Sequence, residues 1–379
     1  MNVYHLENGI RLGHINNESN IVHMSMVFGF GSRDESDSEF GITHLYEHLI
    51  MAKLRKRIYN LEWKGAVINA FSDWETISFN VSVKKEYWRS ALRFFMAILT
   101  DDFIFSKQLV SKEIEVLKEE LRFRGDWYDE LLRKLFSNYK ESEMEFSLFQ
   151  LDDEMQNTLR FLFSCCLKSI CVSGEIEKDF LCESIGSIKL PPSIGVGRSL
   201  LIPGKKVYEV HDFGNGESSV ALTIPGPGAK NYKKLVFEML ITFLAGENSI
   251  SRLFSDLRLR NQLIYSYQSE YILFEEIGVF LFQYDVLNEN IYKSLSIINS
   301  NLKRLSNGIS AKTLERLKEY FIGIICIQNE VDINQVSLIA EEILTGLHKP
   351  IEQKIADVKN VSLADINDFA KHYFSDIQI

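Results

Sequence analysis

The sequence predicts an α+β protein made of two similar α/β-sandwich halves, each a mostly antiparallel sheet packed with helices. Three observations carry that prediction. Strand patterns come in hairpin-like pairs, and the helical stretches are segregated from them rather than alternating one for one. The same order of strand pairs and helices recurs in the second half. Between the two lies "LPPSIGVGRSLLIPGKK", which holds three of the six prolines of the chain. The 379 residues thus divide into 1–188, a linker at 189–206, and 207–379, both halves being of ordinary domain size.

In "NIVHMSMVFGFG", Val22, Met24, Met26, Phe28 and Phe30 alternate toward one face, the period of a half-buried strand. "SDSEFGITHLYEHLIMAKLRK" then predicts a helix, with Ser36, Asp37 or Ser38 as N-cap. "AVINAFSDWETISFNVSV" returns to strand, with Ile77, Phe79, Val81 and Val83 on one face. The helices "YWRSALRFFMAIL" and "KQLVSKEIEVLKEELRF" follow, and "SICVSGEI" is one more strand. In the second half "SSVALTIPGPG" predicts a strand and turn, "YKKLVFEMLITFLAG" a helix, and "LIYSYQSEYILFEEIGVFLFQYDV" a strand pair. Long helices fill 311–346. Within them "YFIGIICI" is the most apolar run of the chain and is expected in a core helix. It is far shorter than the ~18–20 residues a membrane span needs.

Composition narrows the function classes. A net charge of -10 disfavours nucleic acid, whose phosphates need clustered Lys and Arg. Acidity of this kind favours basic peptides or serves solubility alone. Five cysteines without a CxxC pair argue against a disulfide framework or a zinc ribbon, and predict buried free thiols. The opening residues show no basic stretch leading into an apolar one, which predicts a cytoplasmic location.

The chemistry concentrates in "GITHLYEHLIMA". On a helix, residues i and i+4 share a face with Cβ atoms about 5–6 Å apart, so His44 and His48 can present two imidazoles to one ion. Glu47 stands at the rim of that face, placed to reach a water rather than the metal. The order H-x-x-E-H is the inverzincin signature, and two histidines on a polar helix face are its bland alternative. Zinc with three protein ligands keeps a fourth position for water and lowers that water's pKa toward ~7. A third ligand is therefore required. In "LVSKEIEVLKEELRF", Val110, Ile114, Leu117 and Leu121 form the apolar stripe, bordered on the inward side by Glu113 and Glu120. Glu120 is the ligand choice and Glu113 the carboxylate that orients a ligand histidine. Glu115 and Glu119 share the outer face with Lys112 and Arg122, where solvated i,i+4 pairs account for them, and Glu119 is the fallback.

With these residues assembled, the chain resembles the pitrilysin family of zinc peptidases, which includes mitochondrial processing peptidase. "LENGIRL", "GSRDES", "GITHLYEHL", "GAVINAFSDWETISF", "EIEVLKEEL" and "VSGEI" match the family's first half in order. "LAGENSISRLFSDLRLRNQLIYSY" is similar to the segment that carries its substrate-contacting arginine and tyrosine, here Arg258 and Tyr265. The resemblance implies one Zn2+ per chain held by His44, His48 and Glu120, with Glu47 as general base. It also implies a peptide substrate added as an extra strand along Asn69, Ala70 and Phe71. A half-length member implies a homodimer or a heterodimer with a homologous subunit, in which Arg258 and Tyr265 serve the partner's zinc site.

Several positions depart from the family pattern. "AKLRKR" replaces the usual Gly-Thr after the motif helix, and a paired glycine before "NA" is reduced to Gly65. Gln262 stands where a glycine precedes the Leu-x-Tyr of the second half. The expected activity is a zinc endopeptidase acting on short or unfolded peptides, including leader or precursor processing. The alternative is a catalytically silent or partner-dependent subunit that serves as scaffold or substrate-binding half.

Overall fold

The computed structural model describes residues 1–35, 41–124, 157, 160–161, 163–194, 198, 201, 207–330 and 332–375. The candidate N-cap residues Ser36, Asp37 and Ser38 lie outside them, as does most of the 189–206 segment. The architecture is mixed α+β, two sheets each packed by helices, as the alternation patterns predict.

The first unit is built on six strands: β1 (Asn2–His5), β2 (Arg11–Ile15), β3 (Ile21–Phe28), β4 (Val67–Ser72), β5 (Ile77–Lys84) and β6 (Lys168–Ser173). Their order is β1-β2-β6-β3-β5-β4. Every pairing is antiparallel except β2 with β6. Strand period 2 explains the core. Val22, Met24, Met26 and Phe28 of β3 share one buried face with Ile77, Phe79, Val81 and Val83 of β5. Helices α1 (Ile42–Lys53), α2 (Arg55–Glu62), α3 (Trp88–Thr100) and α4 (Lys107–Arg124) contribute their apolar sides to the same cluster. Tyr46 on α1 meets Phe103, Phe105 and Phe163 edge-on, which pins the helix to the loop ahead of α4.

The opposite face of this sheet receives the helix Ile333–Thr345, so the first unit also takes in Gln328–Pro350. Its Val336, Ala340 and Ile343 pack on Val27 and Cys171. Arg11 donates to the carbonyls of Ile343 and Leu344, and the Ser169 hydroxyl donates to that of Ala340. A Cβ on Gly13 would lie 2.5 Å from Ile343 Cδ1, so a larger residue there would make the Ile343 side chain shift. The excursion carries no sequence signature. An amphipathic stripe states that a helix packs, and not onto which sheet.

Glu341 on that helix is half-buried beside Asp73. Burial first, then the Asp73 and Glu342 carboxylates, push its carboxyl up to about 7. A raised carboxyl binds its proton more tightly folded than unfolded. The associated stability is therefore full below about pH 4.5 and is lost as pH rises through about 7. Glu341→Gln is expected to match the parent in denaturant unfolding near pH 5 and to exceed it by about 1–3 kcal/mol at pH 8. An equal difference at both pH values would contradict this origin.

The second unit has the sheet β7 (Val207–Asp212), β8 (Glu217–Pro227), β10 (Ile277–Leu287) and β9 (Tyr267–Leu273), in that spatial order and antiparallel throughout. Val220, Leu222, Ile224, Phe280, Phe282 and Tyr284 form its buried face. The helices Lys234–Ala245, Ile291–Ser306 and Leu363–Phe374 cover them, with Phe237 among the rings of Tyr271, Phe369 and Phe374. One expectation fails here. The run Tyr320–Ile327 is helical within Ala311–Gln328, yet none of it is buried and Ile327 is exposed. Hydropathy registers apolar area without saying whether the chain's own core covers it. The cysteines divide similarly: Cys165, Cys166 and Cys171 are buried, while Cys326 is exposed.

Candidate metal centre

Helix α1 separates its chemistry from its packing by helical phase. Ile42, Leu45, Tyr46, Leu49 and Ile50 are buried, and His44, Glu47 and His48 share the remaining face at i, i+3 and i+4. The start of the helix is fixed from outside. Gly41 precedes it in the left-handed region at φ 85°, a conformation suited to glycine. The buried Glu35 carboxylate accepts from the Gly41 and Thr43 amides, both at 2.7 Å. It thereby satisfies donors that helical bonding leaves free. Glu35 in turn sits on a loop whose Ser32 and Arg33 amides donate to the Asp73 and Trp74 carbonyls of the β4–β5 turn. Arg198 clamps the same loop through both Asp34 oxygens, at 2.8 and 2.9 Å.

The two imidazoles and the Glu47 carboxylate each offer an atom within 4.8 Å of the others. The rings stand 4.9 Å apart at 80°. Helix α4, packed on α1, brings two more carboxylates. Glu120 faces both rings, with Oε1 3.9 Å from His44 Nε2 and Oε2 3.5 Å from His48 Nε2. Glu113 faces the far nitrogen of the second ring, its Oε2 lying 3.6 Å from His48 Nδ1. Those first separations are too long for hydrogen bonds. They approach the spacing of about 3.4 Å between donor atoms that bind one tetrahedral ion at ~2.0–2.1 Å. Two imidazole Nε2 atoms with one carboxylate facing both make a donor set whose chemistry suits zinc, and Glu113 stands on the far side of the His48 ring. Glu119, the neighbouring carboxylate on α4, is exposed.

Glu47 is only 8 % exposed, and burial raises its carboxyl above the ordinary range. His48 and a hydrogen bond from Ser72 oppose that shift, and Glu120 adds to it. Ser72 ends β4, the edge strand, whose outward residues Val67, Asn69 and Phe71 are exposed while Ala70 turns toward the core. The sequence motifs contain both Glu35 and Ser72 but assign them no role. The only signal for either was its place inside "GSRDES" or "NAFS".

In the second unit, Arg258 lies on a π-helical turn, Phe254–Arg260. Its guanidinium stacks over the rings of Phe254 and Tyr265, at 5.4 and 5.3 Å. Tyr265 is 84 % exposed, so it is not a strand-core aromatic. Gln262 holds φ 52°, in the left-handed region that favours glycine. A residue with a Cβ pays on the order of 1 kcal/mol there.

An α+β fold of two helix-packed sheets, with a His-x-x-Glu-His helix beside an edge strand, defines the class of inverzincin peptidases. Two family profiles match: "Insulinase (Peptidase family M16)" over residues 14–144 and "Peptidase M16 inactive domain" over 169–321. The chain belongs to the M16 peptidases, the pitrilysin family, as a half-length, two-domain member. It is 24% identical to an uncharacterized zinc protease of Bacillus subtilis, YmxG, over 98% of this chain and 95% of that one. An uncharacterized zinc protease of Rickettsia bellii is 22% identical over 99% and 95%. The crystal structure of a protease from Helicobacter pylori superposes with a TM-score of 0.84 at 19% identity, covering 99% and 96%.

Proposed function

We propose that this chain is a zinc-dependent endopeptidase that hydrolyses short or unfolded peptides, including leader or precursor segments. The observation that carries this reading is the Glu120 carboxylate facing both motif imidazoles at 3.5 and 3.9 Å with Glu47 beside them. In it, His44, His48 and Glu120 hold one zinc per chain, Glu113 orients His48, and Glu119 takes no part. Zinc, when bound, supplies a Lewis acid and an acidified water. Glu47 takes a proton from the attacking water and returns it to the leaving amine. Its partial burial keeps the carboxylate basic enough for both transfers. The outer edge of β4, last in the strand order among the described residues, binds the peptide as an added strand, with ladder hydrogen bonds from alternate residues along Asn69, Ala70 and Phe71. Backbone pairing of that kind selects extended, unfolded segments over folded ones.

Arg258 and Tyr265, already stacked on each other, are assigned to the scissile carbonyl in a partner subunit's site, where they stabilise the oxyanion. Among the described residues no helix is long and apolar enough to cross a membrane, and a cytoplasmic site of action fits the reading. The second half matches a profile described as inactive. That match keeps in view a silent subunit that works only with an active partner.

Metal analysis of purified protein is expected to find about one zinc per chain. Digestion of an unstructured peptide should stop with a chelator and resume when zinc is restored. Absence of zinc after zinc is supplied would remove the mechanism. Cleavage that appears only with a homologous half-length subunit would assign the chain to the heterodimer.

A further inference from the structure

Helix α2 carries a surface that the peptidase reading leaves unused. Its segment, "KLRKRIYNLEWK" from Lys53 to Lys64, holds five cations and one acid in a chain of net charge -10. Leu54, Ile58 and Leu61 turn inward at helical spacing. Lys56, Tyr59 and Trp63, at i, i+3 and i+7, therefore run down the middle of the opposite face. Tyr59 and Trp63 are 57 % and 76 % exposed, their rings edge to face at 6.0 Å. Arg55, Arg57 and Lys64 flank them and are exposed. Among the described residues Arg55 and Lys56 form no ion pair, whereas neighbouring Lys53 is held by Asp101 at 2.6 Å.

We infer that this face docks the protein on an anionic lipid bilayer. Charge complementarity is the first argument. Each Lys or Arg near such a surface strengthens binding by about fivefold, and these cations sit together in a chain of net charge -10. The exposed indole and phenol are the second, since Trp and Tyr settle at the headgroup level with an apolar body and a polar tip. Shape is the third. A convex helix face offers no groove for an extended acidic peptide, whereas a flat interface accepts it. Docking here is peripheral and independent of the zinc site.

The test is co-sedimentation of the full chain with vesicles of phosphatidylcholine alone, or with about one third phosphatidylglycerol. Binding is expected only to the anionic vesicles and should fall at least tenfold when salt rises from about 0.15 M to about 1 M. Arg55→Gln with Lys56→Gln should weaken it by roughly tenfold or more. Trp63→Ala should weaken it at every salt concentration. Circular dichroism and unchanged peptide cleavage confirm that these variants fold. No binding to anionic vesicles, equal binding to neutral ones, or parental binding by the double variant would overturn the inference. Capture of polyglutamate without capture of vesicles would overturn it too, and would reassign the face to an acidic polypeptide.

Discussion

Replacing Glu47 by glutamine is expected to leave zinc bound and to lower peptide hydrolysis by about 10³-fold or more. The geometry makes this substitution unusually clean. Glutamine has the shape of glutamate, and the position is nearly closed to solvent, so the neighbouring rings keep their places. The Ser72 hydroxyl, which donates to the carboxylate, can donate equally to the amide oxygen. What the amide cannot do is accept a proton from water and give it up to the departing amine. Both transfers rest on one side chain, so both barriers rise together. Measured zinc content should equal that of the parent, while kcat falls with KM little changed. Parental cleavage rates in this variant would show that another group is the base. Loss of zinc would instead make Glu47 a ligand, a role its proximity to both imidazoles leaves geometrically open.

The parts of this site that the sequence disclosed are those written locally. His44, Glu47 and His48 fall within five residues, so helical phase alone puts them on one face. Glu113 and Glu120 were legible because each borders an apolar stripe whose inward direction fixes theirs. Val22 to Phe28 and Ile77 to Val83 showed their buried faces through strict alternation. What stayed hidden depends on partners distant in the chain. Glu35 caps α1 across a short gap, but nothing in "GSRDES" says that its carboxylate turns toward the Gly41 amide. Ser72 meets Glu47 only once β4 lies beside α1. The helix Ile333–Thr345 reaches the first sheet by a choice of partner that no local pattern encodes. The Tyr320–Ile327 run, half-buried with Ile327 exposed, misled for a related reason: hydrophobicity is a property of the segment, and burial is a property of its surroundings.

Three glutamates on α4 should separate in metal affinity according to the face each presents. Glu120→Ala removes the carboxylate opposed to both Nε2 atoms and leaves two imidazoles, so stable zinc binding is expected to be lost. Glu113→Gln leaves the three donors intact and withdraws the charge facing His48 Nδ1. It should weaken zinc by about 10–100-fold, with activity regained at higher zinc. Glu119→Ala should bind zinc as the parent does and shift stability by no more than about 0.5 kcal/mol, as surface substitutions usually do. Zinc affinity measured by competition with a chromophoric chelator gives the order directly. A Glu119 variant that loses zinc while the Glu120 variant retains it would exchange their roles, and would require α4 to rotate by about 100° from the position that now buries Ile114 and Leu117. Such a rotation would carry those two side chains out of the core. The packing of Ile114 and Leu117 and the facing of both Nε2 atoms therefore favour Glu120 as the proposed ligand.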